Sequence, residues 1–190
     1  MSDQPFFEFE VSLRDIAPRI WRRFLLKRSA TFEDLHRAIQ DSFDWLDYHL
    51  WAFSPEDMYS STVVAGSPQE PEWQDEAPIP DGARVKLASY FAGPAARFRG
   101  IYTYDYGDDW EHEVQLVQMT RAGDVRLRKL LGGERNRPPE DCGGVGGYEQ
   151  IIEFLRTGRQ PDPHVDLGGW LGDWKPETFD FAAVRARFDR

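Results

Sequence analysis

From Ile101 to Val117 the chain alternates large apolar and polar residues on either side of Gly107-Asp108-Asp109. This is its strongest hairpin signal. Successive side chains on a strand point to opposite faces, so the loop length decides which residues share a face. A two-residue loop, Gly107-Asp108, pairs Asp105 with Trp110 and mixes acidic with aromatic positions. A three-residue loop, Gly107 to Asp109, pairs Tyr106 with Trp110 and Tyr104 with His112. One face then collects Tyr102, Tyr104, Tyr106, Trp110, His112, Val114 and Leu116. The other collects Asp105, Glu111 and Glu113, with Asp108 and Asp109 at the tip. We expect the three-residue loop, because a one-residue slip would turn the aromatic set into water.

Other segments extend that sheet. Phe7, Phe9, Val11 and Leu13 alternate with Glu8, Glu10, Ser12 and Arg14, the pattern of a half-buried strand. After Ala17-Pro18, residues 20–27 read as a second strand, with Ile20, Arg22, Phe24 and Leu26 on one face. Thr31-Phe32-Glu33-Asp34 fits a capping box. It opens a helix whose Phe32, Leu35, Ile39 and Phe43 form one stripe, ending near Asp44-Trp45. His49 to Phe53 reads as another strand, and Val85 to Tyr90 as a short apolar segment. Residues 54–80, rich in Pro, Ser, Glu and Asp, lack periodicity and read as a long loop or lid. A Gly-rich connection, Gly132 to Gly147, leads into a helix on which Tyr148, Ile151, Ile152 and Leu155 share a face, with Gly158 at its C-cap. A final helix spans Asp180 to Phe188. With no repeat and no linker, the expectation is one α+β, roll-like domain over residues 1–190. It has an N-terminal strand pair, a helix, a strand, the central hairpin and two C-terminal helices, and its sheet is mostly antiparallel.

Composition narrows the class. An aromatic share of 14% excludes a disordered chain. One cysteine, Cys142, excludes an internal disulfide and an all-cysteine zinc cage. No run approaches a membrane span, and Met1-Ser2-Asp3-Gln4 lacks a basic signal-peptide region, so a cytoplasmic protein without membrane contact is expected. The net charge of −10 disfavours a polyanion as partner. Two local stretches run the other way. Residues 14–28 and 121–137 each hold six Lys or Arg, and these are either solvated faces offset in the fold or a basic groove for nucleic acid.

Three clusters carry candidate chemistry. Asp105 facing Glu111 across the hairpin asks for a partner: solvent, an arginine or a divalent metal. His112, among aromatics, is either a hydrogen-bonded core residue or, with Asp105, a metal ligand. In Arg137-Pro138-Pro139-Glu140-Asp141-Cys142-Gly143-Gly144, prolines stiffen the approach to a helix N-terminus that offers free N–H groups to an anion. That block lacks the Gly-Lys-Ser/Thr of a Walker loop. Cys142 as a nucleophile needs a nearby base, and no spacing selects among His36, His49, His112 and His164; a small buried residue is the simpler reading.

The order of blocks resembles a known family. Ile20-Trp21-Arg22-Arg23, Thr31 to His36, Trp45 and His49-Leu50 are similar to the start of the plasmid pRiA4b open-reading-frame-three-like family. Tyr104-Asp105-Tyr106-Gly107-Asp108-Asp109-Trp110-Glu111-His112 resembles its central signature. Pro138 to Gly144 followed by Tyr148 resembles its third block, and Trp174, Pro176-Glu177 and Phe179-Asp180 its ending. The resemblance implies a single α+β roll-like domain of bacterial or archaeal type and little about activity. Some relatives carry a transposon-resolvase label, an association with mobile elements that no recombinase constellation supports here. Many members carry two further cysteines before the third block, where Leu130 and Arg137 stand in this chain. Any metal site here would therefore draw on Cys142, histidines and carboxylates.

Two functions follow. One is a binding or adaptor module for a protein, peptide or nucleic acid, using an aromatic-rich cleft of Tyr104, Asp105, Asp108, Asp109, Trp110, His112, Glu140, Asp141, Cys142 and Tyr148. The other is a metal-dependent hydrolase-like enzyme built on the Asp/His set of the hairpin.

Overall fold

The computed structural model describes residues 3–57, 59, 62–68, 78–94 and 96–189. Among them seven strands form one sheet: β1 (Gln4–Leu13), β2 (Trp21–Lys27), β3 (Trp51–Ser54), β4 (Ala65–Gly66), β5 (Arg99–Tyr104), β6 (Trp110–Ala122) and β7 (Arg128–Glu134). Five helices accompany it: α1 (Phe32–Phe43), α2 (Leu87–Phe91), α3 (Gly144–Thr157), α4 (Leu167–Leu171) and α5 (Phe181–Phe188). The strand order is β4-β3-β5-β6-β1-β2-β7, antiparallel throughout. The α+β expectation holds, with the sheet open.

The long strands β1 and β6 form the centre of the sheet. Val11 pairs with Val114 and Leu13 with His112, and a bulge at Glu8/Phe9 absorbs Val117 as an extra residue. Alternation then turns Phe7, Phe9, Val11, Phe24, Leu26, Tyr102, Tyr104, Trp110, Val114 and Leu116 to one face. There they pack with Phe32, Leu35, Ile39 and Phe43 of α1 and with Val184 and Phe188 of α5. Burying each such side chain contributes about 1.5–3 kcal/mol, which is what holds the helices to the sheet. The capping box forms as expected: Thr31 Oγ1 accepts the Asp34 N–H at 3.2 Å, and Asp34 Oδ2 accepts the Thr31 N–H at 2.8 Å.

The alternation of β2 puts Arg22 on the inner face, and its guanidinium is buried there. It lies 3.8 Å from the Phe179 ring centroid and 4.7 Å from that of Phe43. It donates to the carbonyls of Ser42, Trp21, Glu134 and Arg135. Burial lowers its pKa to about 9, and carbonyls supply the hydrogen bonds that water would have made.

The sequence pattern missed some elements. Residues 128–134 read only as a basic stretch but form β7, in which Arg128 and Leu130 point inward. A bulge at Arg23/Phe24 and the pair Gly132-Gly133 broke the alternation there. Three helices rather than two follow the sheet, because Asp166 caps a one-turn helix at Gly169 N, 2.9 Å, too short to show periodicity. The expected loop at 54–80 contains β4, paired with β3; residues 58, 60–61 and 69–77 of that expectation lie outside the described residues. No helix among the described residues is long and apolar enough to cross a membrane.

Candidate functional site

The hairpin keeps its expected faces but closes earlier. Tyr104 pairs with Trp110, Tyr102 with His112 and Thr103 with Glu111, leaving a five-residue loop, Asp105–Asp109. Asp105 causes this. Its backbone enters the left-handed region at φ 59°, and its Oδ1 accepts the Gly107 N–H at 2.9 Å. A short acidic side chain can close such a turn on itself, and two residues leave the ladder at no cost to the face pattern. Asp105 therefore does not oppose Glu111, which pairs with Arg14 instead.

Three loops meet beside this turn: 44–50, 105–109 and 137–143. Asp105 is tied to the first by its N–H, which donates to the Leu50 carbonyl at 3.0 Å. That puts Asp105 Oδ2 3.3 Å from His49 Nε2, while Asp141 Oδ1 of the third loop lies 3.0 Å from the same nitrogen. One ligand atom each from His49, Asp105 and Asp141 lies within 4.8 Å of the others. Asp105 is buried, His49 half-buried and Asp141 exposed, so the set opens to solvent on one side. Tyr48 donates its hydroxyl to Asp141 Oδ2 at 2.6 Å, and that bond is the main cause of its own pKa rising to about 12. Asp141 is also left-handed, φ 54°.

Glu140 backs the cluster. Its Oε1 accepts the Leu46 N–H at 2.6 Å, its Oε2 is buried without a hydrogen-bond partner, and burial raises its pKa. The Tyr104 hydroxyl lies 3.4 Å from Oε1, and burial likewise pushes the Tyr104 pKa up. Among the described residues no lysine or arginine forms an ion pair with Asp105, Glu140 or Asp141. Arg137, whose charge acts on Glu140 without an ion pair, lies over the Trp45 ring and donates to the carbonyls of Asp44 and Pro138.

The remaining expected residues fall elsewhere. His112 is a core residue rather than a partner of Asp105. Its Nε2 accepts from Trp45 Nε1 at 3.2 Å, and its Nδ1 faces the Trp110 and Tyr102 carbonyls at 3.0 and 3.3 Å. Both nitrogens are occupied, and neither is left for a metal. Trp110 and the ring of Tyr104 are buried in the core, not in a cleft. Asp108 reaches the third loop, where its Oδ2 accepts the Gly143 N–H at 3.0 Å. One of the chain's own carboxylates thus stands just before the helix N-terminus expected to receive an anion. Asp109 meets the Tyr59 hydroxyl at 3.5 Å, and burial raises its pKa. Burial pushes the Cys142 thiol up to about 12, leaving it un-ionised and a poor nucleophile. Tyr148 packs edge-on to Trp174 beneath α3. The basic stretches form ion pairs: Arg14, Arg19, Arg23, Arg128, Lys129 and Arg135 each meet a carboxylate.

His49 is the residue the sequence did not single out for a site; it stood among four bases considered for Cys142, at the start of an expected strand and in a block of the family resemblance. No local pattern links it to Asp105 or Asp141, fifty-six and ninety-two positions away, because the loops that carry them meet only in the folded sheet.

The family model described as Plasmid pRiA4b ORF-3-like protein matches residues 5–183. The chain belongs to the plasmid pRiA4b ORF-3-like family. It is 31% identical over 182 residues to the uncharacterized protein y4hQ of Sinorhizobium fredii (strain NBRC 101917 / NGR234), covering 95% of this chain and 86% of that protein. The crystal structure of MM3350 from Methanosarcina mazei Go1, a protein of unknown function, superposes with a TM-score of 0.77 at 34% identity, covering 94% of this chain and 96% of that one. The pRiA4b ORF-3-like fold is therefore shared across these chains, and none of the three descriptions names an activity.

Proposed function

We propose that this pRiA4b ORF-3-like domain holds a divalent cation on His49, Asp105 and Asp141 and acts as a metal-dependent hydrolase-like centre. One observation supports this: three ligand atoms converge within 4.8 Å in a carboxylate-rich corner where, among the described residues, no lysine or arginine forms an ion pair with Asp105, Glu140 or Asp141. Carboxylates brought together in a partly desolvated place repel one another and favour a bound cation. One imidazole nitrogen and two carboxylate oxygens suit zinc or manganese. Three protein ligands leave coordination positions for water and substrate, the arrangement of catalytic rather than structural sites. A cation held by these three residues would supply Lewis acidity and acidify a coordinated water, the chemistry that metal-assisted hydrolysis needs. Tyr104 and Trp110, which motivated an aromatic docking cleft, are core residues, so an adaptor role draws no support from them.

The test is the metal content of untagged protein purified without chelator, followed by calorimetric titration of chelator-treated protein with Zn²⁺ and Mn²⁺. One ion per chain is expected, lost in His49→Ala combined with Asp105→Asn and retained in His112→Phe. Protein without bound metal that also takes up none would overturn the proposal, leaving His49 as a structural neighbour of the two carboxylates. Uptake undiminished in the double variant would refute these ligands.

A further inference from the structure

A groove of about 380 Å³ lies against the same corner. Ile151 of α3 and Leu167 of α4, both buried, belong to it together with Val165 and Trp170, which are 47% and 50% exposed. Asp141 lines the groove and also stands 3.0 Å from His49. A molecule in the groove thus touches a ligand residue of the proposed centre. The lining includes two carboxylates, Asp141 and Asp162, and no lysine, arginine or histidine. Its volume lies in the range of small-molecule sites, roughly 300–1,000 Å³. A docked protein would cover roughly 800 Å² on each side, far more than these side chains offer.

Resting on the cation reading above, we infer that this groove is the specificity subsite and seats the apolar arm of a small substrate. That substrate carries an oxygen-donor head, such as an acyl group, and an uncharged aryl or alkyl arm. The head goes to the cation because the centre offers open positions there. The arm goes to the groove because Trp170 and Val165 give it apolar surface that water now covers. It carries no negative charge, because Asp141 and Asp162 would repel one.

Hydroxamates with and without an arm separate the two claims. Calorimetry on protein as purified compares acetohydroxamate with phenylalkyl hydroxamates of two to four methylenes. We expect at least one armed probe to bind roughly tenfold more tightly than acetohydroxamate. Trp170→Ala and Val165→Asp, both at exposed positions, should erase most of that gain while leaving metal content and acetohydroxamate affinity unchanged. Equal affinity for armed and armless probes overturns the groove and spares the cation reading. A gain untouched by either substitution also overturns the groove. No binding of any hydroxamate by protein that carries its metal overturns the groove, and protein that neither carries nor takes up metal overturns the cation reading and the inference with it.

Discussion

His112 shows how a single imidazole can serve the core. Burial, opposed only by the Tyr102 and Trp110 carbonyls, lowers its pKa from 6.5 to about 4. The unfolded chain therefore binds a proton that the folded one excludes, and stability falls as pH drops from about 6.5 toward 4. At 1.36 kcal/mol per unit the loss reaches on the order of 3 kcal/mol near pH 4. Urea unfolding at pH 7 and pH 4.5 should show wild type losing more stability across that window than His112→Phe. The variant pays a pH-independent cost for leaving Trp45 Nε1 without its acceptor. Parallel losses in both proteins would mean that the carboxylates, not His112, set the acid limit.

At the scale of elements, α3 begins in an unusual way. Its N-cap is Gly143, φ 89°, which has no side chain to cap the first turn. Asp108, across the hairpin loop, instead accepts the N–H of Gly143 itself, and its backbone carbonyl crowds Gly144 so closely that a Cβ there would lie 2.4 Å from the oxygen. One contact thus orders both the tip of the hairpin and the start of α3, the two loops that bring Asp105 and Asp141 together. Asp108→Ala should lower stability by about 1 kcal/mol, the usual value of one hydrogen bond. It should also weaken Zn²⁺ or Mn²⁺ uptake without removing a ligand. Asp108→Asn, which keeps the acceptor, should restore most of both. Stability and uptake equal to wild type in the alanine variant would show that the contact holds nothing in place.

For the whole molecule the equivalent joint is Arg22. Its four carbonyl partners lie on β2, at the end of α1 and at the exit from β7, and its ring contacts join α1 to the segment before α5. Replacing it by methionine keeps apolar volume and leaves buried carbonyls without donors. A loss of about 2–4 kcal/mol is expected, read as a lower urea midpoint with an unchanged slope. A neutral or stabilising Arg22→Met would show that packing alone holds these segments together.

Much of this was legible in the sequence because it depends on local spacing. Period-two alternation placed β1, β2 and both faces of the hairpin; a capping box and an apolar stripe placed α1, and Gly158 the end of α3. Elements whose side chains broke the pattern were not legible: β7 with its inward arginine and paired glycines, and α4 with a single turn. The hairpin faces followed from parity, but the loop length did not, since a shift of two residues leaves every face unchanged. Asp105, Glu140 and Asp141 stood out as chemistry-bearing residues before the fold was seen. His49 could not be matched to them, and His112 could not be dismissed. Which nitrogen lies near which carboxylate depends on long-range strand order, and that order is set by burial of the common core rather than by local spacing. The sequence by itself determined the faces, the start of α1, the end of α3 and the carboxylates of the site. Only the tertiary structure decided that three loops share one corner, that His112 lies in the core, and that His49 completes the set.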